Sequence, residues 1–204
     1  MTLKELQKIL TSIAPADREA MDRAKKRQAE LAKPPGSLGK LEDMSIRLAG
    51  ITGQVRNQLE SCRILVFAAD NGVIAEGVSS SPESVTLSQA VNMTRHITGM
   101  SALARYFGNS VVVADVGINA EVRCPAILNR KIRRSTRNLA KEPALTRQEV
   151  LDAMGVGLEL AGQAKEEGVQ AIGVGEMGIG NTTTSSAVAA ALLGRPAAEM
   201  TGKG

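Results

Sequence analysis

CRILVFAAD, residues 62–70, is the stretch that decides the fold. It is a short, mostly apolar run that ends in an acid, Asp70. Apolar runs of this length without polar alternation are typical of strands that are covered on both faces of a parallel sheet. We therefore predict a buried parallel strand over these residues.

Two other stretches resemble this strand. SVVVADVG, residues 110–117, contains an acid, Asp115, near its end, and VQAIGVG, residues 169–175, is a third apolar run. Because the carboxyl ends of parallel strands meet at one edge of a sheet, the loops AADNG, ADVGIN and GVGEMGIGN are predicted to share that edge, where ligands of open α/β sheets bind.

Helical segments separate the three predicted strands. The caps and periodicity predict four helices: residues 82–97, a short helix capped by Ser101, a helix that Thr146 and Glu149 open, and residues 182–193. Residues 119–141 are basic and are predicted to be irregular. Alternation of strand and crossover helix predicts an α/β fold with a Rossmann-like parallel sheet flanked by helices.

The first part of the chain differs from the rest, because its sequence patterns predict helices only. Residues 3–10 form one amphipathic helix, and Pro15 opens a second, charged helix that KPPGSLGKLE, residues 33–42, interrupts. Ser37 is the predicted cap of a third helix. We expect a small helical domain over residues 1–58 and an α/β domain over residues 59–204.

Composition excludes several classes of function. The aromatic residues are Phe67, Tyr106 and Phe107, too few for the stacking platforms of single-strand nucleic-acid binders. The Arg and Lys residues of 123–141 are interpreted as a solvated loop or edge strand, with a polyanion-binding patch as the less favoured alternative. No nucleic-acid partner is expected.

Metal, disulfide and membrane roles are not expected either. Cys62 and Cys124 match no metal spacing and form no disulfide framework, and the single histidine, His96, is expected at a helix surface or cap. The charged N-terminus is no signal peptide, and the longest apolar run is too short to span a membrane. A cytoplasmic protein is expected.

GVGEMGIGNTTTSS, residues 173–186, places a lone acid, Glu176, in a glycine-rich turn before a helix. Its G-x-G-x-x-G spacing matches the dinucleotide fingerprint, which requires a second strand that ends in an acid about 20 residues later. Glu199 stands at that distance, but the residues before it indicate a helix end and a loop. A dinucleotide site is therefore disfavoured.

A phosphate site fits this turn better. Backbone N–H groups and the positive end of the helix dipole, with Asn181 as a cap and Thr182, Thr183 and Thr184 as hydroxyl donors, suit an anion. A carboxylate cannot bind phosphate, so Glu176 would accept a proton or a hydrogen bond from a neutral nitrogen ligand. The alternative, that Glu176 only caps a backbone N–H, is equally compatible with the residues.

Several motifs together resemble the nicotinate-nucleotide–dimethylbenzimidazole phosphoribosyltransferase family. The motifs are KPPGSLGKLE, DNGV followed by GVSS and a spaced proline and threonine, QAVNMTR, DVGIN and GVGEMGIGNTT, in this order between residues 33 and 184. The resemblance implies transfer of ribose 5-phosphate from nicotinate mononucleotide to 5,6-dimethylbenzimidazole, giving α-ribazole 5′-phosphate and nicotinate for cobalamin synthesis. It implies no metal or cofactor, and a homodimer.

The resemblance also implies roles for particular residues. Glu176 resembles the acid at the base-binding edge, as an auxiliary to a main general base expected beyond residue 204. The residues that resemble those beside the substrates are Ser80, Ser81 and Gln89 with Met177 as an apolar wall, and Gly175, Gly178, Gly180, Asn181 and Thr182 in the turn. Asn71 stands where many members carry a histidine, and no chemistry is assigned to residues 33–39.

The sequence covers about the first three-fifths of the family pattern. The family's C-terminal glutamate and its phosphate-binding lysine have no counterpart here. The alternatives are therefore an active transferase, an inactive fragment that only binds the nucleotide or the azole, and a fragment that only dimerises.

Overall fold

The computed structural model describes residues 1–202. Its contacts divide the chain into two compact units, one formed by Lys4–Glu60 and the other by Met1–Leu3 together with the residues from 61 onward. The first unit is helical and the second contains the sheet.

Three helices form or enter the helical unit: α1 (Leu3–Thr11), α2 (Arg18–Ala29) and α3 (Lys40–Thr52). Asp17 caps α2 by accepting the backbone N–H of Ala20 at 2.9 Å. The helices α2 and α3 pack closely because small residues meet there, and a Cβ on Gly50 would lie 2.6 Å from Cγ of Met21. The missing Cβ of Gly50 thus leaves room for the side chain of Met21.

The segment before α3 is a folded turn. Lys33 Nζ lies 2.6 Å from Glu42 Oε1, and the same oxygen accepts the backbone N–H of Leu38 at 3.2 Å. Gly39, with a positive φ of 53°, precedes α3 and no side chain caps the helix. The prediction that Ser37 caps α3 was wrong, because the chain turns again at Gly39 before the helix begins.

Four parallel strands form one sheet in the second unit. They are β1 (Cys62–Ala69), β2 (Ser110–Gly117), β3 (Ile127–Asn129) and β4 (Ala171–Met177), in the order β3-β2-β1-β4. Residues 62, 65 and 68 of β1 pair with residues 171, 174 and 177 of β4. The predicted α/β fold with a parallel sheet is confirmed.

The short strand β3 lies in a segment whose basic residues were interpreted as a loop or edge strand, although no bounds of a strand were predicted there. It has only three residues. Its pairing with β2, from Val113 opposite Ile127 to Asp115 opposite Asn129, supplies the hydrogen bonds that its short apolar run alone does not suggest. Tertiary pairing, rather than local preference, makes this strand.

The helices that connect the strands are α4 (Val85–Thr94), α5 (Gly99–Tyr106) and α6 (Arg147–Glu166), and a 3-10 turn covers Gly72–Glu76. The helices α7 (Asn181–Leu193) and α8 (Ala197–Met200) follow β4. The helix predicted from residue 82 begins at Val85. Thr98 caps α5, and Ser101 returns the bond to the Thr98 N–H, so Ser101 is the reciprocal partner rather than the predicted cap.

Helices cover both faces of the sheet. Val66, Val113 and Ile118 form a buried cluster with Ala90 of α4 on one face. Leu65 and Ala114 pack with Val156 and Leu160 of α6 on the other. Neighbouring residues of β1 thus face opposite layers, as strand geometry requires, and the sheet is covered in the Rossmann-like manner that was predicted.

The capping box predicted at the start of α6 is confirmed, and an arginine side chain also binds its glutamate. Glu149 accepts the backbone N–H of Thr146 at 2.6 Å and a guanidinium N–H of Arg137 at 3.0 Å. The first of these bonds, followed by the second, lowers the pKa of Glu149 to about 2.

The basic residues of 123–141 mostly have acidic partners. The pairs are Arg123–Glu121, Arg130–Glu159, Lys131–Asp115, Arg133–Glu149, Arg137–Glu149 and Lys141–Glu76. Charges that are paired within the fold offer little field to a polyanion. The interpretation as a loop and edge strand, rather than a polyanion site, agrees with these contacts.

Candidate active site

The loops after β1, β2 and β4 meet at one edge of the sheet, as predicted. Asp70 Oδ2 accepts the backbone N–H of Asn119 at 2.7 Å, which joins the first loop to the second. Asn71 Nδ2 donates to the carbonyl of Ile179 at 3.1 Å, which joins the first loop to the third. The edge is therefore a single hydrogen-bonded surface.

The acids that end β1 and β2 are structural. Asp70 is 2% exposed and Asp115 is 1% exposed. Asp115 Oδ1 accepts the N–H groups of Gly117 and Ile118, and Lys131 Nζ lies 3.0 Å from its other oxygen. Both carboxylates are buried and accept backbone N–H groups, so their contacts hold the loops in place.

The glycine turn after β4 is packed tightly against the end of β1. A Cβ on Gly178 would lie 2.2 Å from the carbonyl oxygen of Ala69. Gly180 adopts a φ of 86°, in the left-handed region that favours glycine, and α7 begins at the next residue. The backbone path alone is sufficient to require glycine at both positions.

Glu176 and Asn181 face each other across this turn. The side-chain amide of Asn181 donates to Glu176 Oε1 at 2.5 Å. Glu176 is exposed, and within residues 1–202 no Lys, Arg or His forms an ion pair with it. The lone acid noted in the sequence thus has an uncharged protein partner, and it caps no backbone N–H among the described residues.

A cavity of about 660 Å³ opens beside this pair. Its lining residues are Val78, Glu176, Asn181, Thr182, Thr183, Ser185, Ser186, Thr201 and Gly202. Its volume is within the range of small-molecule sites, roughly 300–1,000 Å³. Glu176 is the one charged side chain among these described lining residues, and hydroxyl groups supply most of the other polar contacts.

The structure brings only part of the predicted site together. Glu176, Asn181 and Thr182 line the cavity, whereas Ser80, Ser81 and Gln89 are not among its lining residues. Met177 packs against the buried cluster under α4. Gly175, Gly178 and Gly180 shape the strand end and the turn without lining the cavity. The roles of all these residues toward a ligand stay predictions.

Several cavity residues were not predicted. Ser185, Ser186, Val78, Thr201 and Gly202 line it in addition to Thr183, which was predicted among the hydroxyl donors. A signal for two of them was present, because Ser185 and Ser186 lie three and four residues after Thr182 and therefore share its helix face. Val78 and Thr201 are distant in sequence, and only folding places them here.

The dinucleotide alternative has no structural support in the described chain. Glu199 lies in the short helix α8, and no strand follows β4 within residues 1–202. The fingerprint requires an acid at the end of such a strand to bind the ribose. The glycine spacing at residues 173–178 is therefore not accompanied by the rest of a dinucleotide fingerprint within the described residues.

Other candidate groups contribute little to this site. His96 has a positive φ of 58°, and its Nδ1 lies 3.3 Å from the carbonyl of Ser101. Cys62 and Cys124 are free thiols. Among residues 1–202 no cluster of three or more His, Cys, Asp or Glu could hold a metal ion, and no helix has both the length and the apolar character that crossing a bilayer requires.

Most of the chain matches the model of one protein family. The family model described as "Phosphoribosyltransferase" matches residues 13–204. The chain belongs to this phosphoribosyltransferase family. The matched range includes β4, the glycine turn and α7, so the cavity lies in the part that the family shares.

Curated relatives agree with the phosphoribosyltransferase assignment. A nicotinate-nucleotide–dimethylbenzimidazole phosphoribosyltransferase from Ruminiclostridium cellulolyticum is 47% identical over 204 residues, which is 100% of this chain and 57% of that protein. One from Clostridium perfringens is 46% identical over 98% of this chain and 55% of that protein. The chain spans a little over half the length of these relatives.

A solved phosphoribosyltransferase-family structure confirms the fold. The crystal structure of CobT from Thermus thermophilus superposes with a TM-score of 0.87 at 41% identity, covering 91% of this chain and 56% of that one.

Proposed function

We propose that this chain forms the azole-facing part of a nicotinate-nucleotide–dimethylbenzimidazole phosphoribosyltransferase site. The observation that carries the proposal is Glu176, the one charged group among the described residues lining the 660 Å³ cavity, held by an uncharged amide. A carboxylate with no cationic partner is suited to an N–H donor of a neutral ring.

In the proposed reaction, one bond forms and one bond breaks at C1′ of the ribose. One ring nitrogen of 5,6-dimethylbenzimidazole attacks C1′ of nicotinate mononucleotide, and the bond from C1′ to the pyridinium nitrogen breaks. The electron pair of that bond goes to nicotinate and cancels the positive charge of its ring. The second azole nitrogen must then lose its proton, and a carboxylate that accepts its hydrogen bond favours that loss.

Within this proposal, Glu176 holds the azole and the start of α7 faces the nucleotide. Thr182 and Thr183 lie in the first turn of α7, where backbone N–H groups and the helix dipole favour a phosphate. No Lys or Arg is among the described lining residues. Full neutralisation of the phosphate therefore requires a cation from outside them, and the main general base is likewise expected beyond residue 204.

The test is turnover by the purified chain. Nicotinate mononucleotide and 5,6-dimethylbenzimidazole are supplied together, and nicotinate release is followed with and without the azole. Release that requires the azole supports a sufficient site in this chain. Azole binding without release identifies a binding fragment, and neither signal, with the R. cellulolyticum relative active in parallel, contradicts the proposal for this chain.

Self-association and a cytoplasmic location complete the proposal. Val174 on β4 and Leu192 on α7 are each 80% exposed, and β4 lies at the edge of the described sheet. Exposed apolar surface of this kind favours association, which supports a homodimer. Light scattering on the chain and on Val174→Lys tests the homodimer, because the charge should shift the measured mass toward that of one chain.

The proposed cytoplasmic location rests on the thiols. The free thiols Cys62 and Cys124 suit a reducing compartment.

A further inference from the structure

The glycine turn is held by two side chains, one from the helix α4 and one from the loop after β1. The backbone N–H of Ile179 donates to Thr86 Oγ1 at 3.0 Å, and the backbone carbonyl of Ile179 accepts from Asn71 Nδ2 at 3.1 Å. Both polar backbone groups of one residue in the turn are thus held by side chains, one from α4 and one from the loop after β1.

Each of these side chains is itself fixed. Thr86 is fully buried, with 0% exposure, in the first turns of α4. Asn71 lies between two residues that Thr136 holds, because the N–H of Thr136 donates to the carbonyl of Asp70 and its Oγ1 accepts the N–H of Gly72, both at 3.0 Å. The Thr86 side chain is thus enclosed in the core, and the backbone on both sides of Asn71 is held by Thr136.

Little free space separates the glycine turn from Asn71. A Cβ on Gly178 would lie 2.8 Å from Asn71 Nδ2, and one on Gly180 would lie 3.7 Å from Asn71 Cβ. The backbone therefore passes Asn71 at contact distance on both sides of Ile179. This closeness makes the two hydrogen bonds to Ile179 sensitive to the identity of the side chains that form them.

The position of Ile179 gives these bonds a consequence for the site. It lies three residues after Glu176 and two before Asn181, and these two residues are joined by the 2.5 Å bond across the turn. We propose that Thr86 and Asn71 are positioning residues that clamp Ile179 and thereby set the Glu176–Asn181 contact. Its catalytic consequence rests on the proposed function, whereas the clamp itself does not.

The decisive variants are at Thr86. Thr86→Val keeps the shape but removes the oxygen that accepts the Ile179 N–H, and Thr86→Ser keeps the oxygen. Thr94→Val is the matched control, because Thr94 lies on the same helix and donates to the carbonyl of Val91 at 2.8 Å, away from the turn. Asn71→Asp removes the donor to the Ile179 carbonyl with little change in volume.

The first measurement needs no ligand. Amide exchange of the 204-residue chain is followed at Ile179, and the side-chain amide protons of Asn181 are observed by NMR, with Asn181→Ala to assign them. Thr86→Val is expected to speed exchange at Ile179 by about tenfold or more, since a buried N–H loses its acceptor. It should also move the Asn181 amide resonance toward that of a free amide, while Thr86→Ser and Thr94→Val leave both unchanged.

The second measurement addresses function. The dissociation constant of 5,6-dimethylbenzimidazole is expected to rise about tenfold in Thr86→Val and in Asn71→Asp, and to recover in Thr86→Ser. If the unaltered chain binds no azole, the proposed function fails, and exchange together with the Asn181 resonance still decides the clamp.

Two results would overturn the clamp. One is an Asn181 resonance and Ile179 exchange in Thr86→Val equal to those of the unaltered chain. The other is exchange that rises equally in β2, which would show general loosening of the fold rather than release of the turn. Asn71→Asp provides the second route to the same result if Thr86→Val folds poorly.

Discussion

The side-chain amide of Asn181, the first residue of α7, donates a hydrogen bond of 2.5 Å to the carboxylate of Glu176 near the end of β4. The bond crosses the glycine turn and joins a strand tip to a helix start. It occupies one carboxylate oxygen, Oε1, and within the described residues no protein donor is bonded to Oε2. Glu176 is thus oriented by the fold and still able to accept a bond from a ligand.

Replacing the Glu176 carboxylate by an amide tests its proposed use. Glu176→Gln keeps the shape and removes the charge, so the azole N–H loses a charged acceptor worth roughly 1.5–3 kcal/mol. We expect the dissociation constant of 5,6-dimethylbenzimidazole, measured by calorimetry, to rise about tenfold or more. Glu121→Gln, in an exposed pair with Arg123, is the control, and equal affinity in all three proteins would remove Glu176 from the site.

Introducing a second acid at Asn181 tests the geometry of the pair. Asn181→Asp places two carboxylates at hydrogen-bond distance, and like charges at that distance repel when both are ionised. The variant should unfold at a lower temperature than the unaltered chain at about pH 7. Below about pH 4, where carboxyl groups are protonated, the difference should shrink. A difference in melting temperature that does not change with pH would show that the two side chains do not face each other in solution.

Glu149 lies outside the cavity, and its lowered pKa predicts that the stability of the fold depends on pH. Its pKa is lowered to about 2 in the fold, by the Thr146 N–H first and by Arg137 next, from 4.5. A lowered pKa contributes stability that is present above 4.5 and is lost as the pH falls toward 2. Thermal unfolding should therefore show a gap between the chain and Glu149→Gln at about pH 6 that closes with acid. Glu166→Gln, at the exposed end of α6, should show no such gap.

Neighbouring backbone leaves no room for a side chain at Gly72. A Cβ there would lie 2.4 Å from the carbonyl oxygen of Thr136 and 2.8 Å from the carbonyl carbon of Arg137, and these backbone atoms cannot move away without a loss of stability. Gly72→Ala is expected to lower the free energy of unfolding by about 1–3 kcal/mol in urea titrations. Gly157→Ala is the control, because nothing lies within 4 Å of its Cβ position and alanine favours a helix. Equal stability of both variants would contradict the close approach at Gly72.

Much of the fold could be predicted because its signals are local. The apolar runs of β1, β2 and β4 and the Thr146–Glu149 capping box are short patterns whose physics involves neighbouring residues only. The bounds of β3 could not be predicted in this way, because its three residues become a strand only by pairing with β2. The Ser37 cap failed for a related reason, since the turn at Gly39 is set by Lys33 and Glu42 across the loop.

The sequence by itself determined the α/β class, the family and the glycine turn that carries Glu176, because these depend on residue order and on short motifs. The tertiary structure decided that Asn181 is the partner of Glu176, that Asp70 and Asp115 are structural, and that Thr86 and Asn71 hold Ile179. Asn181 is only five residues from Glu176 and meets it because the glycine turn brings the end of β4 beside the start of α7. For the contacts of Ile179 the physical reason is distance along the chain. Ile179 lies 93 residues from Thr86 and 108 from Asn71, so only the stacking of parallel strands brings their hydrogen-bonding groups together.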